Sequence, residues 1–193
     1  MSRALALGAV AALVVCVGLA AAVLVPRATE TAAPRIGGPF TLEDGSGKTV
    51  TDRDFRGRFM LIYFGYTHCP DACPTTLSDI AAALDKLPAK DKARVVPLFV
   101  TVDPARDTPT VIGDYAKAFG PEFVGLSGNA TEIGAAEREF HVYAEKHPLA
   151  HGDYGMDHSS IMYLMGPDGR FVDVISDGTK PAEIAERLQA AGV

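Results

Sequence analysis

Two cysteines, Cys69 and Cys73, bracket Pro70-Asp71-Ala72 inside the segment Phe64-Gly65-Tyr66-Thr67-His68-Cys69-Pro70-Asp71-Ala72-Cys73-Pro74. A thiolate is both a nucleophile and a ligand for soft metals. Two thiols in one proline-bounded loop are hard to assign to core packing, the ordinary role of a buried cysteine. The thioredoxin redox motif has two intervening residues; the longer loop here can open enough for both sulfurs to grip one metal, and it leaves a disulfide available. Pro74 restricts Cys73 to non-helical torsions and suits the first helical position, which predicts Cys73 as the N-cap of a following helix. Unpaired N–H groups and the helix dipole favour a thiolate there. The third cysteine, Cys16, sits in an apolar run and reads as a small hydrophobe.

Two sulfurs leave a metal in want of a third ligand. The five histidines are His68, His141, His147, His151 and His158. His158 is the best placed, at the end of a Gly- and Asp-containing stretch from His151 that reads as a loop just before a strand at Ile161. The ordinary reading of a lone loop histidine is an exposed or locally hydrogen-bonded residue. His151 and Met156 are rivals in the same loop. His68 is too close to Cys69 to wrap an ion with ease, and His141 reads as part of a helix.

The elements that must position these groups follow from periodicity. Arg58 to Phe64 and Val95 to Val102 are near-continuous apolar runs, the pattern of central strands covered on both faces. Between them Leu77, Ile80, Ala81, Leu84 and Leu87 recur at helical spacing from Thr75 to Leu87, stopped by Pro88. This is a βαβ unit with a parallel pair, and the cysteine loop follows its first strand, where α/β folds place their sites. Phe40-Thr41-Leu42 and Lys48 to Thr51 flank Asp44-Gly45-Ser46-Gly47 as a hairpin; Ile161 to Met165 and Arg170 to Ile175 flank Gly166-Pro167-Asp168-Gly169 as another. Helices are predicted from Pro109 to Phe119 with Thr108 as N-cap, from Asn129 or Thr131, and from Pro181 to about Ala190. The element order fits an α/β, thioredoxin-like sandwich with a mixed central sheet.

From Ala4 to Val25 twenty-two residues carry no charge, enough to cross a bilayer as a helix. A cleaved signal peptide competes, although its apolar region is usually shorter, about 7–15 residues. The expected organisation is an N-terminal membrane anchor over residues 1–25, a linker rich in Ala, Thr, Pro and Gly over 26–38, and one domain over 39–193. A net charge of −6, with Lys and Arg scattered singly, offers no track for a phosphate backbone and argues against nucleic acid.

Three motifs in order, the cysteine segment, Val102-Asp103-Pro104-Ala105-Arg106-Asp107-Thr108-Pro109 and Asp157-His158-Ser159-Ser160, resemble those of the Sco (SenC-like) copper chaperones of cytochrome oxidase assembly. The resemblance covers the chain from about Gly38 onward, together with the anchor. It implies copper, as Cu(I) or Cu(II), held by Cys69, Cys73 and His158, and delivery to the CuA site of cytochrome c oxidase subunit II after loading by an upstream copper donor. It further implies an inner-membrane, single-pass protein with its domain in the periplasm or an equivalent exported compartment. Asp103 and Asp107 match the family's Asp-rich loop; helix capping or turn formation is favoured over direct ligation for Asp103, and Asp107 is a candidate to orient a metal-loop residue or a partner. A redox disulfide between Cys69 and Cys73 would switch the site off. The main alternative is a thiol-disulfide reductase that keeps the oxidase cysteines reduced. A peroxiredoxin-type peroxidase, a structural zinc site completed by His147 or His151, and a redox sensor are further readings.

Overall fold

The computed structural model describes residues 35–193. The expected anchor and most of the expected linker lie outside these residues, as does Cys16. Among the described residues no helix is long and apolar enough to cross a membrane.

Among the described residues nine strands and five α-helices follow one another: β1 Thr41–Asp44, β2 Thr49–Thr51, β3 Phe59–Gly65, α1 Ala72–Leu84, the single turn α2 Ala89–Lys92, β4 Val95–Thr101, α3 Pro109–Lys117, β5 Val124–Ser127, α4 Ala130–Phe140, β6 Ala144–Pro148, β7 Tyr154–His158, β8 Ile161–Met165, β9 Phe171–Ser176 and α5 Pro181–Ala190. Seven strands form one sheet in the order β2-β1-β5-β4-β3-β8-β9. β3, β4 and β5 run parallel, while the flanking pairs are antiparallel. The fold is thus the expected thioredoxin-like α/β fold with a mixed central sheet. β3 and β4 are buried at every residue, so both faces of the sheet are covered. Pro97 is tolerated in β4 because β5 pairs with it only from Leu98 onward.

Both expected hairpins form. The helix at Pro109 starts as expected, with Thr108 accepting from the Val111 N–H at 3.4 Å, and α4 is capped by Asn129 and Glu132 in a reciprocal box. Three expectations are corrected. α1 begins at Ala72 rather than Thr75, with Asp71 as N-cap, so Cys73 lies within the first helical turn. Pro74 is accommodated there because the first N–H groups of a helix have no intrahelical acceptor to lose. The chain before Ile161 is not an open loop: β6 and β7 form a separate two-stranded ribbon. His141 is the C-cap of α4, in the left-handed region at φ 54°, and not a helical residue. The short β5, Val-Gly-Leu-Ser, carries too few residues to show a period and is found only through its neighbours β1 and β4.

Candidate metal centre

The carboxyl ends of β3 and β4 open onto the cysteine loop. Asp107, fully buried, ties that loop down: its carboxylate accepts from the Thr67 N–H at 3.0 Å, the Thr67 hydroxyl at 2.5 Å and the Thr101 hydroxyl at 2.8 Å. Three donors around one buried carboxylate pin the start of the loop to the end of β4. The loop then turns through half-buried Cys69 into α1, where the Cys73 N–H donates to Cys69 Sγ at 3.3 Å. The sulfur of Cys69 therefore serves one of the orphan N–H groups at the helix start, the task usually given to a capping oxygen.

Cys73 is fully buried, and Gly65 makes its room. A Cβ on Gly65 would stand 2.8 Å from Cys73 Sγ and 2.8 Å from Phe99 Cε2. The Tyr63 hydroxyl lies 4.0 Å from Cys73 Sγ. The two thiols differ sharply. Hydrogen bonding from the Cys73 thiol, helped by the backbone N–H groups of Cys73 and Asp71, lowers Cys69 to about 5 against the opposing effect of its partial burial. The same bond to Cys69, together with burial, pushes Cys73 far above the usual thiol range. At neutral pH the arrangement is a thiolate at Cys69 held by a protonated Cys73.

The third group arrives through register. β8 pairs antiparallel with β3 so that Met162 faces Tyr63, which sets the chain entering β8 beside the carboxyl end of β3. β7 ends at His158, and Ser159 donates its N–H to the Tyr143 carbonyl at 3.0 Å, holding the ribbon end in place. His158 stands edge-on to the rings of Tyr63 and Tyr66. Its Nδ1 lies 3.2 Å from the Ser159 carbonyl, an acceptor only, so the neutral ring carries its proton there. Nε2 is then the free lone pair, and it faces Cys73 Sγ at 3.7 Å. Cys69 Sγ, Cys73 Sγ and a His158 ring nitrogen lie within 4.8 Å of one another, which makes this a group that can hold one metal ion.

The remaining expected residues lie elsewhere or act indirectly. Asp103 and Asp107 fall outside the ligand group; Asp103 accepts from Arg106 Nε at 2.5 Å and from the Tyr154 hydroxyl at 2.9 Å, so it links the 103–107 turn to β7. The Arg106 guanidinium lies 3.7 Å from the centre of the Tyr154 ring and completes that link. His68 is exposed against Thr67, and His147 faces Asp157. His151 is exposed in a turn of its own at φ 64°. Neither His147 nor His151 joins the ligand group, so the fourth ligand that a closed zinc site would need does not come from either. Met156 is buried in β7. Sequence reasoning did not single out Gly65, Arg106 or Tyr154. Gly65 could have been noticed as a glycine ending a strand next to the loop, but its contact with Cys73 is a matter of packing.

Residues 28–191 match the family model SCO1/SenC. The chain is 44% identical over 159 residues to the mouse mitochondrial SCO1 homolog, covering 81% of this chain and 56% of that protein, so it spans about half the length of such relatives. It is 41% identical over 201 residues to the protein SenC of Rhodobacter capsulatus, covering 97% of this chain and 89% of that one. Among solved structures, Bradyrhizobium japonicum ScoI with copper bound superposes with a TM-score of 0.74 at 46% identity, covering 81% of this chain and 99% of that one. A family model that spans the cysteine loop, the Asp-rich turn and His158 together leaves the conclusion that this chain belongs to the SCO1/SenC family.

Proposed function

We propose that this chain is a copper chaperone that holds the ion through Cys69, Cys73 and His158 and delivers it to the CuA site of cytochrome c oxidase subunit II. The observation that carries the reading is the convergence of two sulfurs and one imidazole nitrogen within 4.8 Å at the open end of the sheet. Membership of a family with a copper-bound relative supports the choice of ion. Two soft sulfurs suit Cu(I), and the imidazole nitrogen extends tolerance to Cu(II). Cys69 is already a thiolate, so loading needs to displace only the Cys73 proton. His158 comes from a ribbon outside the main sheet, which suits a ligand that must let go. Residues 1–25 would anchor the protein as a single pass in the inner membrane, with 26–38 as a spacer and the domain in the exported compartment, where an upstream donor loads it. There the Cys69–Cys73 pair could close as a disulfide and block loading, so that the redox state gates the site.

The test is copper binding by the reduced full chain beside Cys69→Ser, Cys73→Ser and His158→Ala. One copper per chain, lost or strongly weakened in all three variants, is the expected result; binding indifferent to His158 refutes the ligand set. A reductase acting on the oxidase cysteines is the second reading, favoured by one observation: a half-buried thiolate next to a buried protonated thiol is the asymmetry of an attacking and a resolving cysteine. Under it His158→Ala keeps full activity while Cys69→Ser loses it.

A further inference from the structure

Among the described residues, two buried side-chain nitrogens have no hydrogen-bond partner, Arg106 Nη2 and His147 Nδ1. Both residues line one cavity of about 330 Å³, whose wall continues onto His68 and Pro70, the neighbours of Cys69 on either side. His147 Nδ1 comes within 3.2 Å of Asp157 Oδ1 but not at a hydrogen-bonding angle. The other donors of Arg106 are committed: Nε to Asp103, Nη1 to the Tyr154 carbonyl at 3.0 Å and to Asp153 at 3.3 Å. The guanidinium is thus matched in charge by Asp103 and Asp153 yet short of one acceptor. A free anion gains little there, because the positive charge is already answered and Asp153 stands at the wall. An uncharged oxygen such as a main-chain carbonyl fits the deficit. Leu149, 51% exposed, and the Tyr154 ring add an apolar surface to the same cavity.

We propose that this groove receives an extended peptide segment of the protein that accepts the metal, a proposal that rests on reading the chain as a copper donor. A main-chain carbonyl of the segment accepts from Arg106 Nη2, and a neighbouring apolar side chain covers Leu149. The groove runs onto Pro70, so the segment's own thiol ligand is carried to the face of Cys69. Occupancy of the groove and access to the metal are then the same event, and a partner that offers a thiol without a flanking segment to fill the groove is disfavoured.

The experiment titrates the full chain, in detergent and loaded with Cu(I), with the metal-free soluble domain of oxidase subunit II, beside Leu149→Glu and Arg106→Lys. Lysine keeps the charge next to Asp103 and removes Nη2, together with the Nη1 contacts to Asp153 and the Tyr154 carbonyl. Copper binding by the chain alone should be unchanged in Leu149→Glu, while association weakens about tenfold or more in both variants. Association of both variants within about twofold of the unsubstituted chain overturns the groove. Absence of association by the unsubstituted chain overturns both the groove and this choice of partner, and leaves metal binding by the three ligands standing. Failure of the unsubstituted chain to bind copper refutes the chaperone reading itself. If Arg106→Lys lowers the melting temperature, Leu149→Glu alone decides, since an exposed leucine is free to change without disturbing the core.

Discussion

Gly65→Ala adds one methyl group where β3 ends, and the structure fixes what that methyl meets: Cys73 Sγ at 2.8 Å and Phe99 Cε2 at 2.8 Å. Neither neighbour has free space to retreat into, because Cys73 and Phe99 are both fully buried and the Tyr63 hydroxyl lies 4.0 Å from the sulfur. Ordinary carbon contacts begin near 3.5 Å, so the sulfur and the ring must each give way by about 0.7 Å. Overpacking of this kind costs about 1–3 kcal/mol of stability, and for a domain of this size about 2–4 °C of melting temperature follows per kcal/mol. The same displacement takes Cys73 Sγ away from its station opposite His158 Nε2. Changes that mis-set a metal ligand without removing it typically cost about 10–100-fold in affinity. The assay is a competition titration of reduced protein against a Cu(I) chelator, with a thermal melt of the metal-free protein alongside. Expected are one copper per chain still bound, affinity lowered by at least about tenfold, and a lower melting temperature. An affinity within about threefold of the parent, with melting unchanged, would show that the Cys73 pocket is not set by Gly65.

Asp107→Asn replaces a carboxylate that accepts three hydrogen bonds with an amide whose nitrogen must point at a donor; a loss of about 2–3 kcal/mol in urea unfolding is expected with copper stoichiometry retained, and loss of stoichiometry would make Asp107 a ligand. Iodoacetamide should modify Cys69 of the native reduced protein rapidly at pH 7 and leave Cys73 until unfolding; equal rates would contradict the thiolate–thiol assignment. Because the folded value of Cys69 lies below its unfolded one, the stabilising contribution of the Cys69 thiolate is full above about pH 8.5 and disappears as pH falls through about 5, and Cys69 alkylation should fall over that lower range; Cys73, shifted upward, contributes in the opposite sense and weakens the fold as pH rises past about 8.5. Tyr154→Phe removes the hydroxyl that reaches Asp103 and should cost about 1.5–3 kcal/mol, with raised amide exchange in the β6–β7 ribbon; unaltered exchange would mean the ribbon is held by its other contacts.

Much of the fold was legible because its signals are local. The unbroken apolar runs of β3 and β4, the turn residues of both hairpins and the cap at Thr108 each act within a few residues. Expectations failed where a local rule met a distant partner. Pro74 argued against a helical Cys73, yet the Cys69 sulfur satisfies the helix start and moves the cap to Asp71. The glycines and aspartates between His151 and His158 read as loop, yet pairing with β6 makes Gly155 and Asp157 strand.

The cysteine pair, its place after a central strand and the metal-ligating type of its residues are properties of one short segment, and the sequence alone determined them. Which histidine stands opposite could be inferred from family resemblance but not from spacing, since His158 and Cys73 are 85 residues apart in the chain. Tertiary structure decided that through the antiparallel register of β8 on β3, which carries the end of β7 over the cysteine loop. The asymmetry of the two thiols was decided there too. Burial of Cys73 beneath Gly65 and the approach of the two sulfurs to within 4.8 Å depend on how the sheet and α1 pack, and neither packing distance is written in residue order.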